Sequence, residues 1–483
     1  MSSIAAWERF SYYAMRGLLT LFLTASLGSG GFQWSEASTL RFMGVFTMLF
    51  YMAPALGGWI SDHIFGRRKA IIWGGWLLSI GHLFMAGPTL LPDIISSASD
   101  IAVSPLIEQA GVELGRFGIP SIASNVQAAW TAAEHSTFKA AYWSVTLSFY
   151  IALLFIILGG SLLITSATAL IGDHYKQSDS TRRDAGYTIY YLLIGVGALL
   201  SNLIAGTLGE KIGWHWGFTV AGLGMVLGLA TYQLLESKWL DLHSGFDEPS
   251  KAPKGEAFKA FLWSGSFAMI LAIAVFLITF WLIYEQVFGL LHLTIFNTVD
   301  RSIGGFEVPA TWFQSLPPLY GLIVGPVIIA YWHWSEKKGR FLTTTLKLSL
   351  GFAFISAALL CLSGAFLDPD QASAARVSPW WFIIGFFFLT IGELIIAPGG
   401  FALVSKLAPA QLGAIIFGGW FLTDALGGLA GGYIGARAVT GDPITIFWVL
   451  GTVALACAAA LIGLSKFERR LATLGEAANA EEP

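Results

Sequence analysis

The chain is a succession of apolar runs separated by short polar joints. A helix that crosses a bilayer needs about 20 mostly apolar residues. Runs of that kind cover 10–30, 40–61, 70–91, 143–171, 186–208 and 214–235, then 260–292, 311–334, 342–366, 379–404, 412–436 and 443–465. The pattern predicts an all-α membrane protein of about 12 transmembrane helices. Residues 238–258 (KWLDLHSGFDEPSKAPKGEAF) are polar and Pro-containing, with no apolar run. They read as a cytoplasmic linker between two six-helix bundles, 1–237 and 259–466, with 467–483 as a tail. The joint at 92–142 is long, and loops beyond about 15 residues normally carry structure or function of their own. Its stretches IEQAGVEL and VQAAWTAAE read as short amphipathic helices on the outer face. An insertion without a role of its own accounts for them as well.

Basic residues orient the spans, because cytoplasmic joints are rich in Lys and Arg. With the N-terminus inside, the inner segments hold Arg67, Arg68, Lys69, Arg182, Arg183, Lys337, Lys338, Arg340, Lys466, Arg469 and Arg470 among others. The outer segments hold only Arg116, Lys139, Lys211, Arg301, Arg376 and Arg437. Both termini are therefore expected in the cytoplasm, with the protein multi-pass in a bacterial-type inner (plasma) membrane.

Composition narrows the class. Charged residues make up 12% of the chain, half of the roughly 25% usual in soluble proteins, and mean hydropathy is +0.68. The net charge of −3 offers no footprint for nucleic acid. The two cysteines, Cys361 and Cys457, lie inside apolar runs and build neither a disulfide framework nor a metal site. Met1 leads within a few residues into the first apolar run without a charged leader or cleavage pattern, so no separate signal peptide is expected. An enzyme is not expected either, since no nucleophile–base constellation, metal-ligand cluster or phosphate loop appears.

Several motifs then stand in order. The first run holds Glu8-Arg9-Phe10-Ser11-Tyr12-Tyr13 and, seven residues after Arg9, Arg16. Tyr51-Met52-Ala53-Pro54 leads to Gly57-Gly58-Trp59-Ile60-Ser61-Asp62 and Gly66-Arg67-Arg68-Lys69. Asp184 to Tyr191, Phe280-Trp281 before Glu285-Gln286, Glu393 to Pro409, and Gly419-Trp420-Phe421-Leu422 follow. Taken together, from ERFxYY to ELxxxPxG, these resemble the signatures of the proton-dependent oligopeptide transporter family, a branch of the major facilitator superfamily. The resemblance implies a two-bundle major facilitator fold and proton-coupled import of di- or tripeptides, or peptide-like zwitterions. Protons would be the coupling ion, with no other cofactor. The partners would be substrate and lipid bilayer, with no nucleic acid and no obligate protein partner.

The chain also departs from the family. Ala5 stands where an acidic residue is usual, and Ile164 where spacing places a lysine. Gly195 and Pro317 replace two amine-binding asparagines, and Ala397 a serine. Ala5 and Ile164 are linked in charge pairing in the family, and losing both partners of a buried pair is tolerated better than stranding one. A rewired coupling mechanism follows, so a facilitator or exchanger of another small zwitterion is an alternative. A non-transporting sensor or assembly partner using the 92–142 loop is a further one.

An ionisable group at mid-bilayer costs about 2.5–3.5 kcal/mol on insertion scales, so the charges inside the runs are candidate machinery. The candidates, in the runs or at their edge, are Glu8, Arg9, Arg16, Glu285, Lys347, Glu393 and Asp424. Glu8 and Arg9 are adjacent, about 100° apart on a helix, and are expected not to pair with each other. The resemblance implies that Arg9 meets Glu285. Arg16 lies two turns beyond Arg9, about 10 Å deeper at 1.5 Å per residue. Its guanidinium suits a substrate carboxylate, and Glu393 suits an ammonium, so the two are expected to grip a zwitterion across the halves. Tyr12, Tyr51, Trp281 and Trp420 carry over as substrate-contacting aromatics. Glu8, Arg9, Glu285 and Asp424 are assigned to proton coupling and gating. His82 and His292 are read as packed or interfacial residues.

Overall fold

The computed structural model describes residues 2–26, 29–87, 136–174, 180–236, 262–339, 342–366, 377–407, 413–441 and 443–480. The linker 238–258 and most of the 92–142 loop lie outside the described residues. The helices are α1 (Ser2–Thr24), α2 (Glu36–Ile60), α3 (Arg67–Ala86), α4 (Ser136–His174), α5 (Ser180–Lys211) and α6 (Trp214–Thr231), followed by α7 (Gly265–Tyr284), α8 (Leu290–Thr298), α9 (Leu316–Lys337), α10 (Thr344–Gly364), α11 (Pro379–Leu407), α12 (Gly413–Val439) and α13 (Pro443–Ala480). Among the described residues, ten helical segments are long and apolar enough to cross a bilayer. Large apolar side chains such as Leu56, Val327 and Ile329 are more than half exposed, as suits helices facing lipid.

The helices gather into two compact units, Met1–Leu242 with Glu285–Leu319 and Gly428–Gly441, and His243–Tyr284 with Tyr320–Gly427 and Asp442–Pro483. The division cuts through two apolar runs. The run at 260–292 is not one helix. It stops at Tyr284, passes through a 3-10 turn at Glu285–Val287, and restarts at Leu290 after Gly289, whose φ of −108° and ψ of −101° lie outside the helical range. The second half of α12 packs on α2 where glycines let the backbones meet: a Cβ on Gly44 would come within 3.0 Å of the Gly428 carbonyl oxygen and the Gly432 Cα. Helix α13 continues beyond the last apolar run through most of 467–483.

Within each unit small residues set the helix spacing, as in other membrane bundles. In the first, a Cβ on Gly74 (α3) would lie 2.7 Å from the Gly159 carbonyl oxygen (α4), and one on Gly159 would lie 2.6 Å from that of Gly74. In the second, Gly351 (α10) and Gly392 (α11) approach each other's carbonyls in the same way. The same crossing thus recurs between corresponding helices of the two halves, although the runs share no strong residue-level repeat. Gly74→Val is expected to destabilise the protein by about 1–3 kcal/mol through overpacking, seen as a lower melting temperature in detergent. Gly58→Val, where a Cβ meets nothing within 4 Å, is the control expected to stay near wild type.

Two carboxylates cap helix starts, satisfying backbone N–H groups that have no partner within the helix. Glu468 accepts from the N–H groups of Thr344 (3.0 Å) and Thr345 (2.9 Å) and from the Thr345 hydroxyl (2.6 Å). Glu210 does the same for Ala310 (2.9 Å), Thr311 (2.8 Å) and the Thr311 hydroxyl (2.7 Å). Just before the Glu210 cap, strands β1 (Ser302–Ile303) and β2 (Phe306–Glu307) form an antiparallel hairpin. Its turn residues Gly304 and Gly305 have φ of 57° and 84°, the paired positive values that a two-residue hairpin turn requires.

Candidate functional site

Helix α1 carries three charged groups along one stretch of buried helix. Contrary to expectation, Glu8 and Arg9 pair with each other: Arg9 Nε donates to Glu8 Oε2 at 2.6 Å and Nη2 to Oε1 at 3.0 Å. Two long side chains can bend together across a 100° offset when the guanidinium fork meets the carboxylate with two parallel bonds. The Arg9 guanidinium also lies over the Tyr12 ring, 5.1 Å from its centroid.

Arg9 therefore does not meet Glu285, as the resemblance implied. Arg16 does. Its Nη2 donates to Glu285 Oε2 at 2.5 Å and its Nη1 to the Tyr12 hydroxyl at 2.7 Å. The side chains are 3% and 7% exposed, so the pair is withdrawn from solvent. The physical reason for the exchange of partners is depth: Arg9 lies two helical turns from Arg16, about 10 Å along the axis, and Glu285 is level with Arg16. The second carboxylate oxygen of Glu285 accepts from the Thr47 hydroxyl at 3.0 Å. Gln286, its neighbour, donates to the Gly431 carbonyl at 3.0 Å, and Thr20 donates to that of Phe288 at 2.8 Å. Each carboxylate oxygen of Glu285 thus has a donor. Phe288 lies under the Arg16 guanidinium, 4.5 Å from its centroid, and Arg16 Nε has no hydrogen-bond partner among the described residues.

Glu393 stands in a different environment. It is half-buried on α11 and accepts one hydrogen bond, from the Tyr284 hydroxyl to Oε2 at 2.7 Å. Among the described residues no cation pairs with it. Trp281 lies one turn before Tyr284 and edge-on to it, centroids 5.9 Å apart, and its indole N–H is buried without a partner among the described residues. The expected aromatics divide by burial: Tyr12 is 1% exposed, whereas Tyr51, Trp281 and Trp420 are half-buried. Asp424 is 7% exposed. Of the other intramembrane charges, Lys347 lies 3.7 Å from Glu336 and over the Trp332 ring. His82 and His292 are fully buried.

Thr47 and Tyr284 escape the sequence reading. Each is an uncharged residue in an apolar run, and only the level at which helices cross makes it a partner for a charge.

Comparison with known proteins decides the family. Its profile, described as the POT family, matches residues 68–240 and 266–449. The chain belongs to the POT family. A Bacillus subtilis relative, the uncharacterized transporter YclF, is 28% identical, with 87% of this chain and 83% of that protein aligned. The peptide transporter YePEPT of Yersinia enterocolitica is 26% identical over 96% of this chain and 93% of its own. A crystal structure of a peptide transporter POT in complex with sulfate superposes with a TM-score of 0.74 at 25% identity, covering 97% of this chain and 94% of that one. The POT chain described here is thus a multi-pass membrane protein of the major facilitator fold, as its motifs implied.

Proposed function

We propose that this POT-family protein is a proton-coupled symporter that imports small peptides or peptide-like zwitterions by alternating access. The observation that carries the proposal is the contrast between the two acids. Glu285 has a donor on each oxygen, and Glu393 is held by one phenol with no cation beside it among the described residues. A carboxylate partly withdrawn from water without a cation is suited to receive one from a substrate. In this reading Glu393 takes the substrate ammonium, and Arg16 takes its carboxylate when Glu285 releases it. Tyr12, Tyr51, Trp281 and Trp420 line the substrate's path, and Glu8 and Arg9 form a second, more exposed ion pair that opens during gating. The Yersinia relative's name, peptide transporter, supports the substrate class.

Proton coupling follows from the Arg16–Glu285 pair. A proton on Glu285 removes the charge that holds Arg16, and a substrate carboxylate then replaces it. One proton moving down one pH unit supplies about 1.4 kcal/mol, and a 100 mV potential adds about 2.3 kcal/mol. The sum supports accumulation of about several hundred-fold. With both termini in the cytoplasm of a bacterial-type inner membrane, the gradient runs inward. The test is uptake of labelled dialanine and trialanine by proteoliposomes under an imposed proton gradient. Uptake of neither peptide by demonstrably folded protein rules the proposal out.

A second reading keeps the fold, takes another small zwitterion and drops the accumulation. Ala5 is buried at 2% exposure, an apolar group where the family places an acid, which favours a facilitator or exchanger. Asp424, buried in α12, is our candidate for restoring the lost coupling. Asp424→Asn is then expected to lower gradient-driven uptake several-fold and to leave counterflow exchange intact. Unchanged gradient-driven uptake removes Asp424 from the coupling path.

A further inference from the structure

Glu393 has one hydrogen-bond partner among the described residues, the Tyr284 hydroxyl. Tyr284 is the last residue of α7, and its hydroxyl donates to Glu393 Oε2 at 2.7 Å. Two neighbouring rings of the same helix pack against it. Phe280, fully buried, lies 5.6 Å away at 35° between planes, and Trp281 lies 5.9 Å away at 89°. A phenol held by such packing reaches its acceptor with little freedom of its own.

We infer that Tyr284 is a specificity-determining positioning residue, whose hydroxyl occupies Glu393 Oε2 and presents Oε1 to the substrate ammonium. The inference rests on the proposed role of Glu393 as ammonium acceptor. An ionised carboxylate has about four lone-pair sites on its two oxygens, and the phenol fills one of them. Fixing one oxygen removes the rotation of the carboxyl group that an ammonium would otherwise have to arrest. The cost of immobilising one such side chain on binding corresponds to about 3- to 10-fold in affinity. The gain is selective. An N-acetylated peptide brings no ammonium and draws nothing from a correctly aimed oxygen.

The experiment measures binding of dialanine and N-acetyl-dialanine to purified full-length protein, for wild type, Tyr284→Phe, Glu393→Gln and the double variant. Phenylalanine keeps the ring and its packing, and melting temperatures check that each variant is folded. We expect Tyr284→Phe to weaken dialanine about 3- to 10-fold and to leave the weaker N-acetyl-dialanine unchanged. In the Glu393→Gln background the same substitution is expected to change neither ligand, because interacting side chains fail to add. Equal weakening of both peptides, no weakening of either, or the same loss with and without Glu393 overturns the role of Tyr284. A different result sinks the underlying reading and Tyr284 with it: wild type binding neither peptide, or Glu393→Gln leaving the preference for the free amine intact.

Discussion

Proteoliposomes carrying the Glu285→Gln protein are expected to exchange labelled dialanine with unlabelled peptide, yet never to concentrate it under a proton gradient. Glutamine keeps the shape of Glu285 and can still meet the Thr47 hydroxyl, 3.0 Å away in the wild type. It can neither hold Arg16 by charge nor carry a proton. The accumulation ratio should fall from a maximum of about several hundred, set by the gradient, to about one. Arg16→Ala separates stability from transport in the same site. It strands a carboxylate 7% exposed, a loss of about 3–5 kcal/mol visible as a depressed melting temperature. Replacing both partners, Arg16→Met with Glu285→Leu, should recover most of that stability and none of the transport. A Glu285→Gln protein that still concentrates dialanine places coupling elsewhere, with Asp424 the next candidate.

Partner choice at this pair marks where residues stop speaking for themselves. The apolar runs locate the helices, because a bilayer tolerates few other patterns, but not all of their ends: α1 begins at Ser2, α13 runs on to Ala480, and 260–292 is broken after Tyr284. Charges inside those runs are visible for the same reason, and Arg16, Glu285, Glu393 and Asp424 all lie on described helices or the turn after one. What a linear pattern lacks is relative depth between helices. Arg9 and Arg16 lie on nearly the same face of α1, and only the level of the 3-10 turn at Glu285–Val287 selects the second. That turn is itself poorly signalled, since 260–292 is predominantly apolar and holds no charged residue besides Glu285 and a histidine. The hairpin at 302–307 had a clearer sign in Ile303-Gly304-Gly305-Phe306, a pair of glycines between β-formers. Tyr284 had none. A tyrosine beside a glutamate in an apolar run reads as an interfacial anchor, and its bond to a residue more than a hundred positions away is a property of the packed bundle.

Glu393→Gln is the second substitution with a large expected effect, and it bears on substrate identity rather than on the driving force. The carboxylate has no cation beside it among the described residues, so its removal strands no charge, unlike Arg16→Ala. Stability should change little, and melting temperatures of the unliganded protein should stay close to wild type. Binding should not. A hydrogen bond to a charged group is worth about 1.5–3 kcal/mol, so dialanine should bind roughly 10- to 100-fold more weakly, whereas N-acetyl-dialanine should lose little. The split between stability and affinity separates a ligand-directed acid from a structural one. Were Glu393 merely a buried acid satisfied by the Tyr284 hydroxyl, glutamine would accept the same bond and neither quantity would move. Equal loss for free and acetylated peptide would instead mean that the side chain shapes the site without meeting the amine. Only a loss confined to ligands with a free ammonium assigns that end of the substrate to α11.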